Sequence, residues 1–558
     1  MPAPVIPMAS LIDASAIDYL ILFIYFAVVL GIGFLAKSQV SESMDFFLSG
    51  RSLPAWVTGL AFISANLGAV EIMGMSANGA DFGLPAVHYF WVGAIPAMLF
   101  LGVVMMPFYY GSKVRSVPEF MLRRFGTGAH LVNAISFAVA QLLIAGVNLY
   151  LLGSIVHALL GWPLPVALLV AAAIVLSYIT LGGLSAAIYN EVLQFFIIVA
   201  ALAPLTFLGL HRVGGWDGLT DSLDKTHGAD FTTAWGGTGI GSDNPLGANW
   251  LTIVLGLGFV LSFGYWTTNF AEVQRALSAK DLSAAQRTPL IGAFPKIFIP
   301  FLTIVPGLLA LVLVNGIGGT GKDAPTYNDA IPRLMNLLLP NGVLGIALTG
   351  LLAAFMAGMA ANVSSFNTVF TYDIWQDWVQ PGREDRYYLN VGRAVTVGGC
   401  VIAIFTAYLA GSFSNLMDYI QALASFFNAP LFAIFIFGLF YKRMTGTAGW
   451  TGLLAGVASA VFVDLLVRAD IINVSSQAGS FLGASAAFVV GVIVSFVVSQ
   501  FTPGKTDEEL SGLTWATSTR EQRGQGAVAA EDAGWYKNPV IMGTAVLILT
   551  LVLYIIWW

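Results

Sequence analysis

The groups able to do chemistry in this sequence are oxygen donors set in apolar surroundings. Ser64-Ala65-Asn66-Leu67-Gly68-Ala69-Val70-Glu71 lies within an apolar run, 53–77. A run of about 20 apolar residues crosses a bilayer, yet the centre of this one is Ser, Asn and Gly. Backbone that leaves helical geometry at membrane depth is tolerated only where it lines a cavity or is buried in protein, since lipid cannot satisfy the freed carbonyls. A break here would make a binding site; alternatively, Ser64, Asn66 and Gly68 are small residues that let two helices pack closely. Leu261-Ser262-Phe263-Gly264-Tyr265-Trp266-Thr267-Thr268-Asn269 interrupts a second run. A third contains Ala360-Ala361-Asn362-Val363-Ser364-Ser365-Phe366-Asn367-Thr368. Its paired hydroxyls can bond carbonyls one turn back on their own helix. Facing a broken helix, they could instead join its free carbonyls in a shell of hard, neutral oxygens that suits Na⁺.

Stepping outward from these groups, composition sets the class. The chain of 558 residues is 57% hydrophobic and 10% charged, with a mean hydropathy of +0.81; soluble domains carry about 25% charged residues. This is an all-α polytopic membrane protein. Cys400 is the only cysteine, which excludes an intramolecular disulfide and a thiolate metal cage. His88, His130, His157, His211 and His227 are scattered without metal-ligand spacing. Gly182-Gly183 is followed by no GK[ST] and opens no phosphate loop. No Ser-His-Asp arrangement is readable, and the chain is not expected to be an enzyme.

Apolar runs of spanning length number about fourteen, near 17–36, 53–77, 85–110, 129–157, 162–180, 188–211, 248–273, 290–316, 341–372, 389–411, 414–441, 446–467, 480–502 and 537–557. The first follows a head without Lys or Arg and reads as a retained span. Lysine and arginine concentrate in one set of alternate loops, Lys37, Arg51, Lys113, Arg123, Lys280, Arg383, Lys442 and Lys505 among them. The opposite set holds only Arg212, Lys225, Lys322, Arg333 and Arg468. This bias makes the first set cytoplasmic and puts both termini outside. The two interrupted runs then cross in opposite senses, five spans apart, which is the sequence signature of an inverted-repeat transporter with its site at the midplane. The expected divisions are 1–52, an N-terminal span and cytoplasmic loop; 53–211, the first repeat; 212–247, an extracellular loop; 248–443, the second repeat; 444–502, peripheral spans; 503–536, a polar cytoplasmic linker; and 537–558, the last span.

Six segments in chain order resemble the sodium:solute symporter family: SANLGAVEIMGM from Ser64, SVPEFMLRRFG from Ser116, LGGLSAAIYNEVLQ from Leu181, YWTTNFAEVQRALSAK from Tyr265, ANVSSFNT from Ala361, and YIQ ending at Gln421 followed by GLFYKR from Gly438. They span roughly four hundred residues, and among the branches the sodium/sugar cotransporters are most similar. The resemblance implies a leucine-transporter-like 5+5 inverted repeat and Na⁺-coupled uptake by alternating access. It implies a Na⁺ shell of the Ser64, Leu67 and Ala361 carbonyls with the Ser364 and Ser365 hydroxyls. It matches Asn66, Tyr89, Lys296 and Gln421 to polar positions that contact sugar, and Tyr265 with Trp266 to the aromatic floor and inner gate. Glu191 and Arg275 match a family pair, read either as shaping the ion's exit or as an ordinary ion pair at the membrane interface.

Three positions depart from the sugar pattern. Glu71 replaces a Gln or His, Phe90 replaces a carboxylate, and Ser262 stands where bacterial sugar transporters carry Asn. An ionisable residue inside a span is a functional hypothesis by default, although Lys296 could snorkel to the interface and Glu71 could be solvated by an outer vestibule. Asn66 and Gln421 could also be bridges between helices. The expected function is Na⁺-driven symport of a small polyhydroxylated solute, a hexose such as glucose or galactose, in the plasma (inner) membrane. Glu71 and Phe90 keep open a nucleoside, an amino sugar or an organic cation; a solute sensor is a further alternative. The implied partners are that solute, Na⁺ and the bilayer, with no nucleic acid.

Overall fold

The computed structural model describes residues 14–37, 42–240, 244–319, 325–411, 416–520, 522 and 534–557. Lys322, counted above in the loop bias, lies outside them. In chain order the main helices are α1 (Ala16–Lys37), α2 (Ala55–Asn66), α3 (Val70–Phe82), α4 (Ile95–Gly111), α5 (Val117–Phe125), α6 (Thr127–Leu160), α7 (Leu164–Thr180), α8 (Gly182–Val213) and α9 (Gly215–His227). They continue as α10 (Thr252–Thr268), α11 (Phe270–Leu277), α12 (Leu282–Leu313), α13 (Ala330–Leu338), α14 (Val343–Val379), α15 (Asp385–Ala410), α16 (Leu416–Phe440), α17 (Gly446–Arg468), α18 (Ser476–Phe501) and α19 (Pro539–Ile556). Among the described residues, 10 helices are long and apolar enough to cross a membrane, or up to 12 if each bent pair is one span. Helices α4 and α7 are apolar but shorter, so length alone does not return all fourteen expected spans.

The two interrupted runs are the two bent pairs. Helices α2 and α3 meet at 60°, and α10 and α11 at 49°. The first break follows Asn66, where Leu67 takes φ −74°, ψ 49°. Gly68 fits because a Cβ there would stand 2.9 Å from Asn148 Oδ1 and 3.3 Å from the Cα of Gly358. The same Asn148 Oδ1 accepts the Ala69 N–H at 3.0 Å, satisfying an orphan donor at the start of α3. The second break falls at Asn269, whose backbone is extended and whose side chain accepts the Ala271 N–H. An Asn in that conformation is a preferred N-cap, so the residue that ends α10 also starts α11. Both breaks are thus held by amide side chains rather than by lipid-exposed backbone.

A helix apolar all round belongs in a core. In α14, 89% of the most apolar stretch is buried, against 22% in α17 and α19, so α14 is the central pillar and the last helices are peripheral. Helices α7 and α8 run together through Gly183, whose φ of +55° only glycine adopts at low cost; a Cβ there would also strike the Phe46 backbone at 2.6 Å. Two features extend the reading from sequence. Within the expected linker, Leu510 and Leu513 are buried, and the Trp515 N–H donates to the Leu439 carbonyl at 2.9 Å, so this stretch packs back onto the end of α16. Nearby, Arg124 of α5 is buried without a carboxylate and donates to the carbonyls of Gly438, Met444, Tyr441 and Lys442. Burial pulls its guanidinium down to about 10.

Candidate binding site

One cavity, enclosing about 950 Å³ including its open mouth, lies between the two broken helices. Asn66, Glu71, Tyr89, Ser262, Tyr265, Trp266 and Gln421 all line it, as does Ala361. Asn148, Asn269, Glu272 and Asn362 also line it and were not among the expected site residues. Asn269 and Glu272 sit in the quoted YWTTNFAEVQR segment, where the polar residues flanking the break were the available signal. Asn148 has no local signal, since it comes from the middle of α6 and only the fold brings it to Gly68.

Lys296 does not snorkel. Its side chain is 1% exposed, and Nζ lies 3.1 Å from Glu71 Oε2 and donates to Asn66 Oδ1. It also sits 4.6 Å from the Phe90 ring centroid and 5.3 Å from that of Trp266. A buried ammonium is tolerable only when paired and hydrogen-bonded, and the aromatic faces add attraction. Two of the departures thus meet at one ammonium, Glu71 as its carboxylate partner and Phe90 with a ring face. From Asn66 the bonding continues, Nδ2 donating to Tyr265 Oη at 3.0 Å and Tyr265 Oη donating to Glu272 Oε1 at 2.9 Å. Trp266 stacks on Phe62 with centroids 5.6 Å apart. Tyr89 donates to Gln477 Oε1, and Gln477 Nε2 donates to Asp418 Oδ1 at 2.6 Å. The Ser262 hydroxyl is buried with no partner.

Of the residues whose oxygens are expected to hold Na⁺, Ser64 and Leu67 stand at the first break. The Gly68 N–H turns back to the Asn66 carbonyl at 2.8 Å instead of reaching Ser64 one turn back, which releases the Ser64 carbonyl from the helical ladder. Ser364 Oγ is buried without a partner. It lines a smaller cavity with Phe46, Phe47, Gln274 and Thr368, whereas Ala361 faces the large one. Ser365 Oγ donates to the Asn362 carbonyl at 3.0 Å and to Gln141 Oε1 at 3.5 Å. The Ser364 hydroxyl thus bonds nothing on its own helix, while that of Ser365 follows the expectation of donating to it; as a donor, Ser365 also keeps its lone pairs free.

Glu191 and Arg275 do meet, through Nε at 3.2 Å from Oε2 and a second bond from Nη2 to Oε1. Both side chains are 0% exposed, so this is not the solvated contact that interface positions would suggest. His130, which has no metal-ligand spacing in the sequence, lies 2.9 Å from Asp373 Oδ1 and 3.9 Å from Asp377 Oδ2. Ser116 Oγ donates to the same Asp373 oxygen at 2.8 Å. The cluster joins α5, α6 and the end of α14, a proximity that sequence spacing does not reveal.

The sodium/glucose cotransporter of Vibrio parahaemolyticus is 29% identical over 468 residues, covering 81% of this chain and 86% of the relative. Sodium/glucose cotransporter 2 of Rattus norvegicus is 28% identical, with 80% and 71% covered. Sodium/myo-inositol cotransporter 2 of the same organism is 27% identical, with 90% and 79% covered. In fold, the chain resembles a Na⁺-coupled sialic acid symporter solved in a substrate-bound outward-open state, at a TM-score of 0.75 and 17% identity over 88% of this chain and 100% of that one. Residues 46–456 match the profile of the sodium:solute symporter family, and the chain belongs to that family.

Proposed function

We propose that the protein is a secondary transporter that couples the entry of Na⁺ to uptake of a small polyhydroxylated solute, a hexose such as glucose or galactose. The observation that carries this reading is the cavity between the two broken helices, lined by amides, a hydroxyl and flat rings. A sugar requires that mixture, planar donors and acceptors for its hydroxyls and a ring for its C–H face. On this reading all fourteen apolar runs cross the membrane, residues 53–211 and 248–443 form the 5+5 inverted repeat, and both termini face outward. Asn66, Glu71, Tyr89, Ser262, Tyr265, Trp266, Lys296 and Gln421 form the solute site, with Lys296 paired to Glu71. The carbonyls of Ser64, Leu67 and Ala361 hold Na⁺ with the hydroxyls of Ser364 and Ser365; the freed Ser64 carbonyl and the unpartnered Ser364 hydroxyl support that set. Coupling then arises because the ion and solute bind the outward-facing state more tightly than the inward one.

The test is uptake of labelled galactose and glucose into proteoliposomes with and without an inward Na⁺ gradient. Accumulation that requires the gradient, with the half-saturating Na⁺ concentration raised at least about tenfold in Ser364→Ala or Ser365→Ala, is the expected result, since a lost ligand of this kind costs on the order of 1.4 kcal/mol or more. If folded protein moves neither sugar, the hexose assignment is wrong. The second reading, an amino sugar or organic cation, rests on the two carboxylates facing the cavity, Glu71 and Glu272, against the one ammonium of Lys296.

A further inference from the structure

Glu272 ends a continuous chain of hydrogen bonds. The chain starts at Lys296, whose ammonium, paired with Glu71, donates to Asn66 Oδ1. That contact fixes which end of the Asn66 amide points where, so Nδ2 donates to Tyr265 Oη at 3.0 Å. A phenol has one proton, and with Asn66 donating to its oxygen that proton goes to Glu272 Oε1 at 2.9 Å. Every donor in the series points the same way, and the final acceptor is a carboxylate, for which such bonds are stronger than between neutral groups.

The placement of these groups gives the last bond a mechanical meaning. Tyr265 is on α10 and Glu272 on α11, so their bond spans the 49° break at Asn269, and Asn66 ties the same phenol oxygen to the end of α2. Three of the four half-helices thus meet at one hydroxyl. Glu272 is 2% exposed; its Oε2 is buried with no partner, and the residue lines the cavity. A carboxylate kept this dry with half its acceptors unused is costly for a merely structural clamp. We propose that Glu272 is a positioning residue that latches the Tyr265 ring across the inner end of the cavity, holding shut the path toward the face that carries Lys280. The proposal rests on reading this cavity as the solute site, and it adds a residue to the gate.

The test exploits the single cysteine. Cys400 is buried; with it replaced by Ala, an Ala424→Cys reporter on the cavity wall is labelled by a membrane-impermeant maleimide applied to the Lys280 face of sealed vesicles. Glu272→Leu and Tyr265→Phe should each raise the labelling rate at least about fivefold, the size expected for one lost hydrogen bond. The double variant should label no faster than the faster single one, because both remove the same bond. Glu272→Gln, which retains an acceptor oxygen at the same reach, should stay within about twofold of the parent and also controls for misfolding. Parental labelling in Glu272→Leu, multiplicative effects in the double variant, or Glu272→Gln behaving like Glu272→Leu would each overturn the latch. Labelling needs no transported solute, so a failure of sugar uptake would sink the hexose assignment and leave this result standing.

Discussion

At the scale of single residues, the site is dominated by where charge is placed. Glu71 and Lys296 make one pair, but their environments differ: the Lys296 side chain is 1% exposed and that of Glu71 23%. Removing one partner of a buried pair leaves an uncompensated charge, and the cost depends on how dry the survivor is. Glu71→Gln strands a buried ammonium, whereas Lys296→Met strands a carboxylate that water can reach. Glu71→Gln is therefore expected to lower stability by about 3 kcal/mol or more and Lys296→Met by roughly half as much, measured as thermal melting of the detergent-solubilised protein. Equal losses would show that the pair is solvated alike at both ends. The identity of Phe90 follows from the same pairing, since a second carboxylate there would compete with Glu71 for one ammonium.

At the scale of helices, each break is made safe by a side chain that replaces the missing helical partner. Asn269 does so within its own span, as an N-cap. Asn148 does so from α6, accepting the Ala69 N–H at 3.0 Å while lying against Gly68 and Gly358. Asn148→Ala would leave the Ala69 N–H buried and open space between three helices. The expected loss is about 1–3 kcal/mol of stability, with weakened Na⁺ dependence of uptake if the end of α2 offers its carbonyls to the ion as proposed. Retained stability together with unchanged Na⁺ dependence would show that water or α14 takes over the bond.

At the scale of the whole molecule, polar contacts connect elements that are far apart in the chain. The Glu191–Arg275 pair joins α8 to α11 with both partners at 0% exposure, and Arg275 also donates to the Ala271 carbonyl at 2.8 Å. If this pair serves as a fixed clamp, either single neutralisation costs about 3–5 kcal/mol, while the double variant Glu191→Leu with Arg275→Leu recovers much of the loss, since no charge is left stranded. If the pair instead shapes the exit of the ion, the double variant regains stability and still fails in net Na⁺-driven uptake. Paired melting and uptake measurements on the same preparations separate the two.

How much of this was legible beforehand varies with the range of the interaction responsible. Apolar run length and the Ser-Asn-Gly interruption are local, so the all-helical membrane fold, the positions of both breaks and the residues on them could be read along the chain. Tyr265, Trp266 and Asn66 lie on those breaks, which is why they lie on the cavity wall. The pairing of Glu71 with Lys296, the approach of Asn148 to Gly68, the burial of Glu191 with Arg275 and the meeting of His130 with Asp373 join residues tens to hundreds of positions apart. No periodicity or propensity encodes which helix faces which. Sequence alone therefore determined the class, the breaks and the donor chemistry available to the site. Only tertiary packing decided which charges neutralise one another, which hydroxyls stay unpartnered, and that Glu272 closes the chain of hydrogen bonds at Tyr265, because those outcomes depend on helix-to-helix register.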